Sequence, residues 1–540
     1  MWKKLFCKKI DNIAAAAFLV ATSSLLSRLL GVVRDHILAG KFGAGDTLDV
    51  YYAAFRVPDF IFNLIVLGAL SAGFVPLFTS LIKTDREADH QQAWRLASGI
   101  LNTLLLVVAL LGAAGEIFAP QLMHLITPGF VGPKLDQVIS LSRIMFLSPI
   151  LLCISSIFGG ILQSYKRFVA YSLPPIFYNL GIIFGALYLT DALGVWGLAW
   201  GVVIGSACHL LIQLPAVISL KFNYQFVFGW RDKLMKKIWL MMSGRTLDLL
   251  TTQLNLLVTT IMASTLVSGS LAIFSLANNL QAFAVSLFGI SFAVAVFPTL
   301  AAQADDHPEL KKTFTKTLRQ VWFFILPATA LTLVLRAQLV RFVLGSGQFG
   351  WNETILTFNT LGLFCLSFFA QAAIPLLSRM FFAQHDTKTP FLIGLFGDGF
   401  NIILAIILAR SMGVVGLALA FSLANVFDFA VMTIFLRRRL GKLSDGKLIK
   451  AAFKFTVAAI IGGLVAQAVK QPFGDPQAMT HVMGVLTQGT VAGIAGLLAY
   501  ILVCYLLKVE EVGEMWTAVV CRLGRRKTVL NEDVGEVRGI

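Results

Sequence analysis

The chain has 540 residues, of which 57% are hydrophobic and only 13% are charged. A soluble globular domain carries about 25% charged residues, so the composition excludes a water-soluble fold of this length. The net charge of +16 would point to nucleic acid in a soluble protein. Here the basic residues follow the pattern of membrane loops instead, and no nucleic-acid partner is expected.

A membrane-spanning helix needs about 20 predominantly apolar residues. The sequence therefore predicts an all-α polytopic membrane protein with fourteen transmembrane helices. The predicted spans are 13–38, 50–80, 95–118, 138–161, 169–189, 194–219, 238–264, 270–300, 318–340, 355–382, 389–410, 414–436, 451–469 and 487–507. Lys and Arg concentrate in alternate loops. By the positive-inside rule this predicts a multi-pass protein of the cytoplasmic (inner) membrane with both termini in the cytoplasm.

The first span carries three charged residues, Arg28, Arg34 and Asp35. An ionised group at membrane depth costs several kcal/mol, so it normally faces a partner or a water-filled cavity. Arg28 and Asp35 are seven residues apart and are predicted to share a helix face, whereas Arg34 is predicted to point elsewhere. Charge inside a span is typical of a transporter with a polar interior.

In the second span, Asp49 and Arg56 also stand seven residues apart, and Pro58 is predicted to kink or break the helix. Arginine suits phosphate because its planar guanidinium binds two oxygens at once. We therefore expect these arginines and those of the first span to bind a phosphate-bearing substrate. The alternative is that the Arg–Asp pairs only hold helices together.

Later spans carry a second polar group. Arg245 and Asp248 lie one turn apart in the seventh span, and Asp398 and Asn401 lie one turn apart in the eleventh. A carboxylate with amide and backbone oxygens can hold a small hard cation. Asp248, Asp398 and Asn401 are thus candidates for sodium or proton coupling; the alternative is hydrogen bonding between helices.

Motifs of enzyme chemistry are absent from the sequence. It contains no GxxxxGK[ST] phosphate-binding loop, no HExxH metal motif and no nucleophile elbow. We therefore predict that the protein is not an enzyme, that ATP does not drive it directly, and that it has no cofactor other than a coupling ion.

The chain also repeats itself. The motif GVWGLAWG at Gly194 returns as GVVGLALA at Gly413, about 220 residues later, and Pro76 and Pro298 end similar segments at the same offset. This predicts two six-helix copies in the same orientation, a parallel repeat suited to alternating access by rocking. The predicted divisions are an N-lobe at 1–220, a C-lobe at 221–440, two further helices at 441–510 and a cytoplasmic tail at 511–540.

Several long motifs resemble one family. SRLLGVVRDHILAGKFGAGDTLDVYYAAFRVPDF (27–60), GALSAGFVPLF (68–78), TPGF (127–130), FGWNET (349–354) and FFAQHDTKTP (381–390) are similar to motifs of the MurJ (MviN) lipid II flippases. The resemblance implies the multidrug/oligosaccharidyl-lipid/polysaccharide exporter fold, with a lipid-tail groove at 441–510. It also implies movement of lipid II from the inner to the outer leaflet for cell-wall synthesis. The implied partners are this undecaprenyl-pyrophosphate-linked precursor, membrane lipids and the cell-wall synthesis machinery.

The resemblance also assigns residues. Arg28, Arg34 and Asp35 match the family's first-helix charges, and Asp49 matches its acidic residue at the start of the second span. The implied mechanism has the headgroup enter an inward-open cavity in which arginines neutralise the pyrophosphate, while the lipid tail stays in the bilayer.

The chain departs from the family pattern at two places. Phe62 and Asn63 stand where the family usually carries a cavity arginine, and Asn279 and Ala282 stand where it often carries an arginine and a glutamate. Arg245 is not a usual family arginine and is a candidate to compensate. These departures leave open an exporter of another polyprenyl-pyrophosphate-linked glycan, of O-antigen or capsule type. A cation-coupled drug antiporter and a non-transporting scaffold are further alternatives; the arginine-bearing first span argues against both.

Overall fold

The computed structural model describes residues 13–67, 73–83, 87–229, 233–443, 445–474 and 482–515. Within these ranges the regular elements are helices. A lipid environment favours this outcome, because an α-helix satisfies its backbone hydrogen bonds within one segment. The predicted all-α class is confirmed.

The helices up to residue 219 are α1 Ile13–Phe42, α2 Asp46–Ala54, α3 Arg56–Ile61, α4 Val75–Ile82, α5 Glu87–Ile117, α6 Ala119–Ile126, α7 Pro133–Met145, α8 Leu147–Ser164, α9 Phe168–Ser172, α10 Pro174–Phe184, α11 Thr190–Leu193, α12 Trp196–Leu211 and α13 Leu214–Ser219. The later helices are α14 Lys233–Ser264, α15 Ser270–Val285, α16 Ser291–Ala302, α17 His307–Leu344, α18 Trp351–Cys365, α19 Phe368–Ala383, α20 Lys388–Met412, α21 Val414–Leu440, α22 Asp445–Lys470 and α23 Val482–Leu506. Single π-helical turns at Phe62–Leu67, Gly185–Leu189 and Ser286–Ile290 interrupt or extend them.

In the described part of the chain, 10 helical segments are long and apolar enough to cross a membrane, or up to 11 if α18 and α19, bent by 48°, form one span. They coincide with predicted spans. The other predicted spans, 13–38, 50–80 and 238–264, fall on α1, on α2 to α4 and on α14. The predicted span 50–80 is not one continuous helix, because it is divided at Phe55 and by the π-helical turn Phe62–Leu67. A crossing count of fourteen is not confirmed.

The two sequence repeats adopt the same local geometry. Gly194 and Gly413 both have positive φ, at 61° and 63°, just before α12 and α21. Lys166 and His385 both have a φ of 58°, in the turns after α8 and α19. Positive φ is uncommon outside glycine, so its recurrence at equivalent non-glycine positions supports a duplicated unit.

Packing divides the chain into two compact units. The first comprises Met1–Leu280, Val343–Leu361 and Gly394–Ala424. Its core contains an aromatic series in which Phe78 contacts Trp94, and Trp94 stacks on Tyr165 with ring centroids 5.7 Å apart. The second unit comprises Gln281–Phe342, Gly362–Ile393 and Asn425–Ile540. The predicted division into lobes at 1–220 and 221–440 remains a prediction.

In the second unit, α22 and α23 pack closely through glycine. A Cβ added at Gly462 would lie 2.6 Å from the carbonyl oxygen of Gly496. Tyr500 on α23 donates a hydrogen bond of 2.7 Å to the carbonyl of Phe323, and its ring packs with Phe455 around the same core. Small residues at the helix contact let the backbones approach closely, as is common in membranes.

In the first unit, glycines join α10 and the π-helical turn that follows it to α12. A Cβ at Gly185, the first residue of that turn, would lie 2.3 Å from Cα of Gly201, closer than atoms can approach without a backbone shift. We expect Gly185→Ala to destabilise the protein by about 1–3 kcal/mol through overpacking. The melting temperature of the purified protein in detergent measures this.

Gly394→Ala is the matched control, because its Cβ would meet nothing within 4 Å. This change should be neutral or stabilise by up to about 1 kcal/mol, since alanine is the better helix former. Equal melting temperatures for the two variants would show that the α10–α12 contact is not tight.

The turn between α19 and α20 is closed by Asp386. Its Oδ1 accepts from the Thr389 N–H at 3.0 Å, and its Oδ2 accepts from Thr389 Oγ1 at 2.7 Å and from Arg439 Nη1 at 2.6 Å. Partial burial acts to raise the pKa of this carboxyl, but these donors outweigh burial and hold the pKa below its ordinary value of 3.8.

A carboxylate with a lowered pKa stabilises the fold above its unfolded pKa and loses that contribution as the pH falls through its folded pKa. Asp386→Asn should therefore lower the melting temperature by a constant amount above about pH 5. The difference in melting temperature between the unaltered protein and the variant should narrow below about pH 4. Melting curves of both proteins from pH 7 to pH 3 measure this difference. A difference that widens on acidification would contradict this electrostatic role.

Candidate functional site

A cavity of about 540 Å³ lies within the first compact unit. Side chains of α1, α2, α3, α8, α10, α12 and α15 surround it, with two from the π-helical turn after α3. Its charged and polar lining residues are Arg34, Tyr51, Tyr52, Arg56, Asp59, Asn63, Ser156, Tyr178, His209 and Asn279. This size is in the range of small-molecule sites.

Arg34 is held in place by two neighbours, Asp35 and Asn179. Its Nε and Nη2 donate to Asp35 Oδ1 at 3.0 and 2.8 Å, and its Nη1 donates to Asn179 Oδ1 at 3.2 Å. Asn279 Nδ2 donates to the other carboxylate oxygen of Asp35 at 2.9 Å. The prediction that Arg34 points away from Asp35 was wrong, because the long arginine side chain folds back onto its neighbour. Asp35 is buried and serves as the counter-ion of Arg34.

Arg56 presents a different environment. It lines the cavity with Asp59, one turn further along α3. Its Nε is buried without a hydrogen-bond partner in the described residues, and so is the hydroxyl of Tyr52. Buried donors without partners cost about 1–3 kcal/mol each, so this arrangement favours occupation by a ligand rich in acceptor oxygens.

Another predicted arginine, Arg28, is not brought to this cavity. Arg28 lies on α1 but is exposed and does not line the cavity, so its expected shared face with the buried Asp35 does not give a joint site. Arg245 and Asp248 lie on α14, but their side chains fall outside the described residues.

Asp49 is not paired with Arg56 as the spacing suggested. It is buried and accepts from Lys134 Nζ at 2.9 Å, from Gly269 N at 2.8 Å and from Ala272 N at 2.9 Å. The two backbone donors belong to the start of α15. Asp49 therefore caps the N-terminus of that helix, where the helix dipole favours negative charge.

Asp398 and Asn401 meet through a residue that the sequence analysis did not select. Asn401 Nδ2 donates to Asn255 Oδ1 at 2.6 Å, and Asn255 Nδ2 donates to Asp398 Oδ1 at 2.5 Å. Asn401 Oδ1 is buried without a hydrogen-bond partner in the part of the chain that is described. The described residues contain no group of three or more His, Cys, Asp or Glu that could hold a metal ion.

The family model "Lipid II flippase MurJ" matches residues 38–480 of the chain. The chain belongs to the MurJ family. A probable lipid II flippase MurJ of Vibrio cholerae is 29% identical over 427 residues, which cover 77% of this chain and 81% of that protein. A probable lipid II flippase MurJ of Thermotoga maritima is 27% identical over 493 residues, 91% of this chain and 96% of that protein.

Solved structures show the same fold. A lipid II flippase MurJ in an inward closed conformation superposes with a TM-score of 0.77 at 23% identity, covering 92% of this chain and 100% of that one. An inward-facing multidrug-resistance transporter of the MATE family superposes with a TM-score of 0.65 at 14% identity, covering 79% and 99%. The implied exporter fold is therefore confirmed.

Three of the four positions at which the sequence analysis notes a departure from the family pattern line the cavity. They are Phe62, Asn63 and Asn279, next to Arg34 and Arg56, whereas Ala282 does not line it.

Three residues of these sites escaped the sequence analysis as functional residues. Lys134 is remote in sequence from Asp49, and nothing in its surroundings marks it. Asn179 and Asn255 are single asparagines within apolar spans, and no motif in the sequence marks them.

We expect Asp49→Ala to lower stability by about 1–3 kcal/mol, because the N–H groups of Gly269 and Ala272 would lose their acceptor in a buried position. The melting temperature in detergent measures the loss. Asp46→Ala is the control: Asp46 contacts the same Lys134 but is 62% exposed, so it should cost less than about 1 kcal/mol. Losses of equal size would contradict the capping role.

Proposed function

We propose that the protein flips lipid II, or a closely similar polyprenyl-diphosphate-linked cell-wall precursor, from the inner to the outer leaflet of the cytoplasmic membrane. The single observation that carries the chemistry is the cavity with Arg34 and Arg56, in which the Nε of Arg56 has no hydrogen-bond partner among the described residues. A diphosphate supplies the oxygen acceptors that this guanidinium lacks, and arginine binds such groups in a bidentate manner.

The charges that line the cavity favour an exchange in which the substrate's diphosphate replaces carboxylates as the partner of the arginines. Arg34 is neutralised by Asp35, and Asp59 lines the cavity beside Arg56. With both arginines balanced by carboxylates, the empty cavity avoids isolated charge inside the membrane, which would be costly. The arriving diphosphate would compete with these carboxylates. Arg56 is the more available of the two arginines for this exchange, because Arg34 already makes bonds to Asp35 and Asn179.

The size of the cavity limits what it holds. About 540 Å³ is enough for the diphosphate with an adjoining sugar-sized group. The tyrosines, the asparagines and His209 in its wall supply donors and acceptors for such a polar group. The lipid tail would remain in the bilayer, along α22 and α23.

The transport cycle would be alternating access between two lobes of six helices each. The equal geometries of the repeated turns support a duplicated unit of this kind. Both termini would lie in the cytoplasm, as the distribution of Lys and Arg favours.

Coupling to an ion would use the polar group at Asn255, Asp398 and Asn401, with Asp248 on the same helix as Asn255. A buried carboxylate with amide oxygens suits sodium or a proton. The unpartnered Oδ1 of Asn401 provides one such oxygen. One charge crossing a potential of 100 mV supplies about 2.3 kcal/mol.

A second candidate is export of another polyprenyl-diphosphate-linked glycan. Phe62, Asn63 and Asn279 line the cavity where family arginines are expected, so the cavity is less basic than the family pattern implies. A headgroup with fewer acidic groups than lipid II would fit that change. A drug antiporter is disfavoured, because cationic drugs would meet the guanidinium of Arg56.

The test is flipping of fluorescent lipid II in liposomes that contain the purified protein, with Arg56→Gln as the decisive variant. An arginine–phosphate hydrogen bond contributes about 1.5–3 kcal/mol, so the variant should transport about 10- to 100-fold more slowly at limiting substrate. Arg143→Gln is the matched control, because Arg143 is exposed and does not line the cavity.

Equal rates for Arg56→Gln and Arg143→Gln would overturn the cavity as the diphosphate site. Failure of the unaltered protein to flip lipid II, with transport of an O-antigen- or capsule-type lipid in the same liposomes, would establish the second candidate instead.

A further inference from the structure

A basic pocket lies in the second compact unit, away from the arginine cavity. Lys447, Lys450 and Lys454 stand three and four residues apart on α22, which places them on one face of that helix. Together with Lys508, which follows α23, and Arg319 of α17, they line a pocket of about 270 Å³. No residue of this pocket lines the arginine cavity.

Glu510 and Glu511 also line the pocket, and both are already engaged in ion pairs. Arg319 Nη2 lies 2.8 Å from Glu510 and 3.1 Å from Glu511, and Lys316 Nζ lies 2.7 Å from Glu514. These ion pairs use the three glutamates that follow α23. Lys447, Lys450 and Lys508 have no ion pair with any described carboxylate. The pocket therefore keeps positive charge that the described chain does not neutralise.

The pocket is a fixed feature rather than a set of loose side chains. Lys454 Nζ donates a hydrogen bond of 2.6 Å to the carbonyl of Leu507, and this bond joins α22 to the end of α23. Val509 and Phe455 are buried beneath the pocket. Lys508 adopts a left-handed backbone with φ of 52°, which ends the helix at the pocket wall.

An exposed apolar stripe borders the lysines. Ile449 and Phe453 are each 69% exposed and Ile460 is 55% exposed, all on α22. At 100° per residue, Phe453 stands about 60° around the helix from Lys450. A basic pocket beside an apolar face offers contacts to a phosphate and to an acyl chain at once, which is the chemistry of a membrane lipid and not of a soluble anion.

We propose that this pocket binds the phosphodiester headgroup of an anionic phospholipid, whose acyl chains lie along the apolar stripe of α22. The pocket shares no lining residue with the arginine cavity, so the proposal does not depend on the identity of the transported lipid. On the predicted topology it faces the cytoplasmic leaflet, where anionic lipids attract basic side chains near the membrane surface.

The test uses the full-length protein in detergent, with phosphatidylglycerol added stepwise and lipid binding measured by native mass spectrometry. The variant replaces Lys447, Lys450 and Lys508 together with glutamine. Each lysine at an anionic surface contributes about a fivefold change in affinity, so the triple variant should bind phosphatidylglycerol at least about tenfold more weakly. Phosphatidylcholine with the same acyl chains should bind the unaltered protein more weakly than phosphatidylglycerol.

The matched control replaces Lys236, Lys388 and Lys442 with glutamine, which removes the same charge from exposed positions outside the pocket. Equal affinities in the pocket variant and the control variant would overturn the site. Displacement of the lipid by millimolar inorganic phosphate would overturn the lipid as occupant and indicate a soluble anion. A triple variant that melts at the temperature of the unaltered protein and binds less lipid supports the proposal.

Discussion

The need to neutralise charge inside a membrane governs the structure of the cavity lined by Arg34 and Arg56. Arg34 lies within the first helix, and its ion pair with Asp35 makes that position tolerable. Arg34 also bonds to Asn179, and Asp35 also bonds to Asn279, so one ion pair connects α1 with α10 and α15. The polar wall of the cavity is built around this pair. A charged pair that is already satisfied in the empty state can be opened by a substrate that offers a better acceptor.

The same requirement distinguishes Arg56 from Arg34. Arg34 has partners, whereas Arg56 lies in the cavity wall with its Nε unsatisfied. Stability alone does not favour such an arrangement, because a buried donor without a partner carries a cost. The arginine that contributes least to holding the helices together is thus the one best placed to bind a phosphate.

The two halves of the chain carry polar groups of different chemical character. In the first half Arg34 bonds to Asn179, and in the second Asn401 bonds to Asn255. The first group is charged and lies beside a cavity lined by arginines. The second is a chain of amide hydrogen bonds that ends on Asp398. An arginine group suits an anion and an amide–carboxylate group suits a cation, which is the division of roles we propose for substrate and coupling ion.

The sequence by itself determined the class of the protein and the position of most helices, because long apolar runs in lipid have helices as their favoured structure. It also determined the repeat and the family, since both are carried by motifs. Predictions from residue spacing along one helix were wrong where a side chain bonds to a group that does not lie on the predicted helix face. Arg34 turned to Asp35, Arg28 stayed exposed, and Asp49 capped α15 instead of meeting Arg56. Only the tertiary structure decided these pairings, because a side chain at a helix surface selects the nearest satisfying group in space, and that group commonly lies far away in sequence.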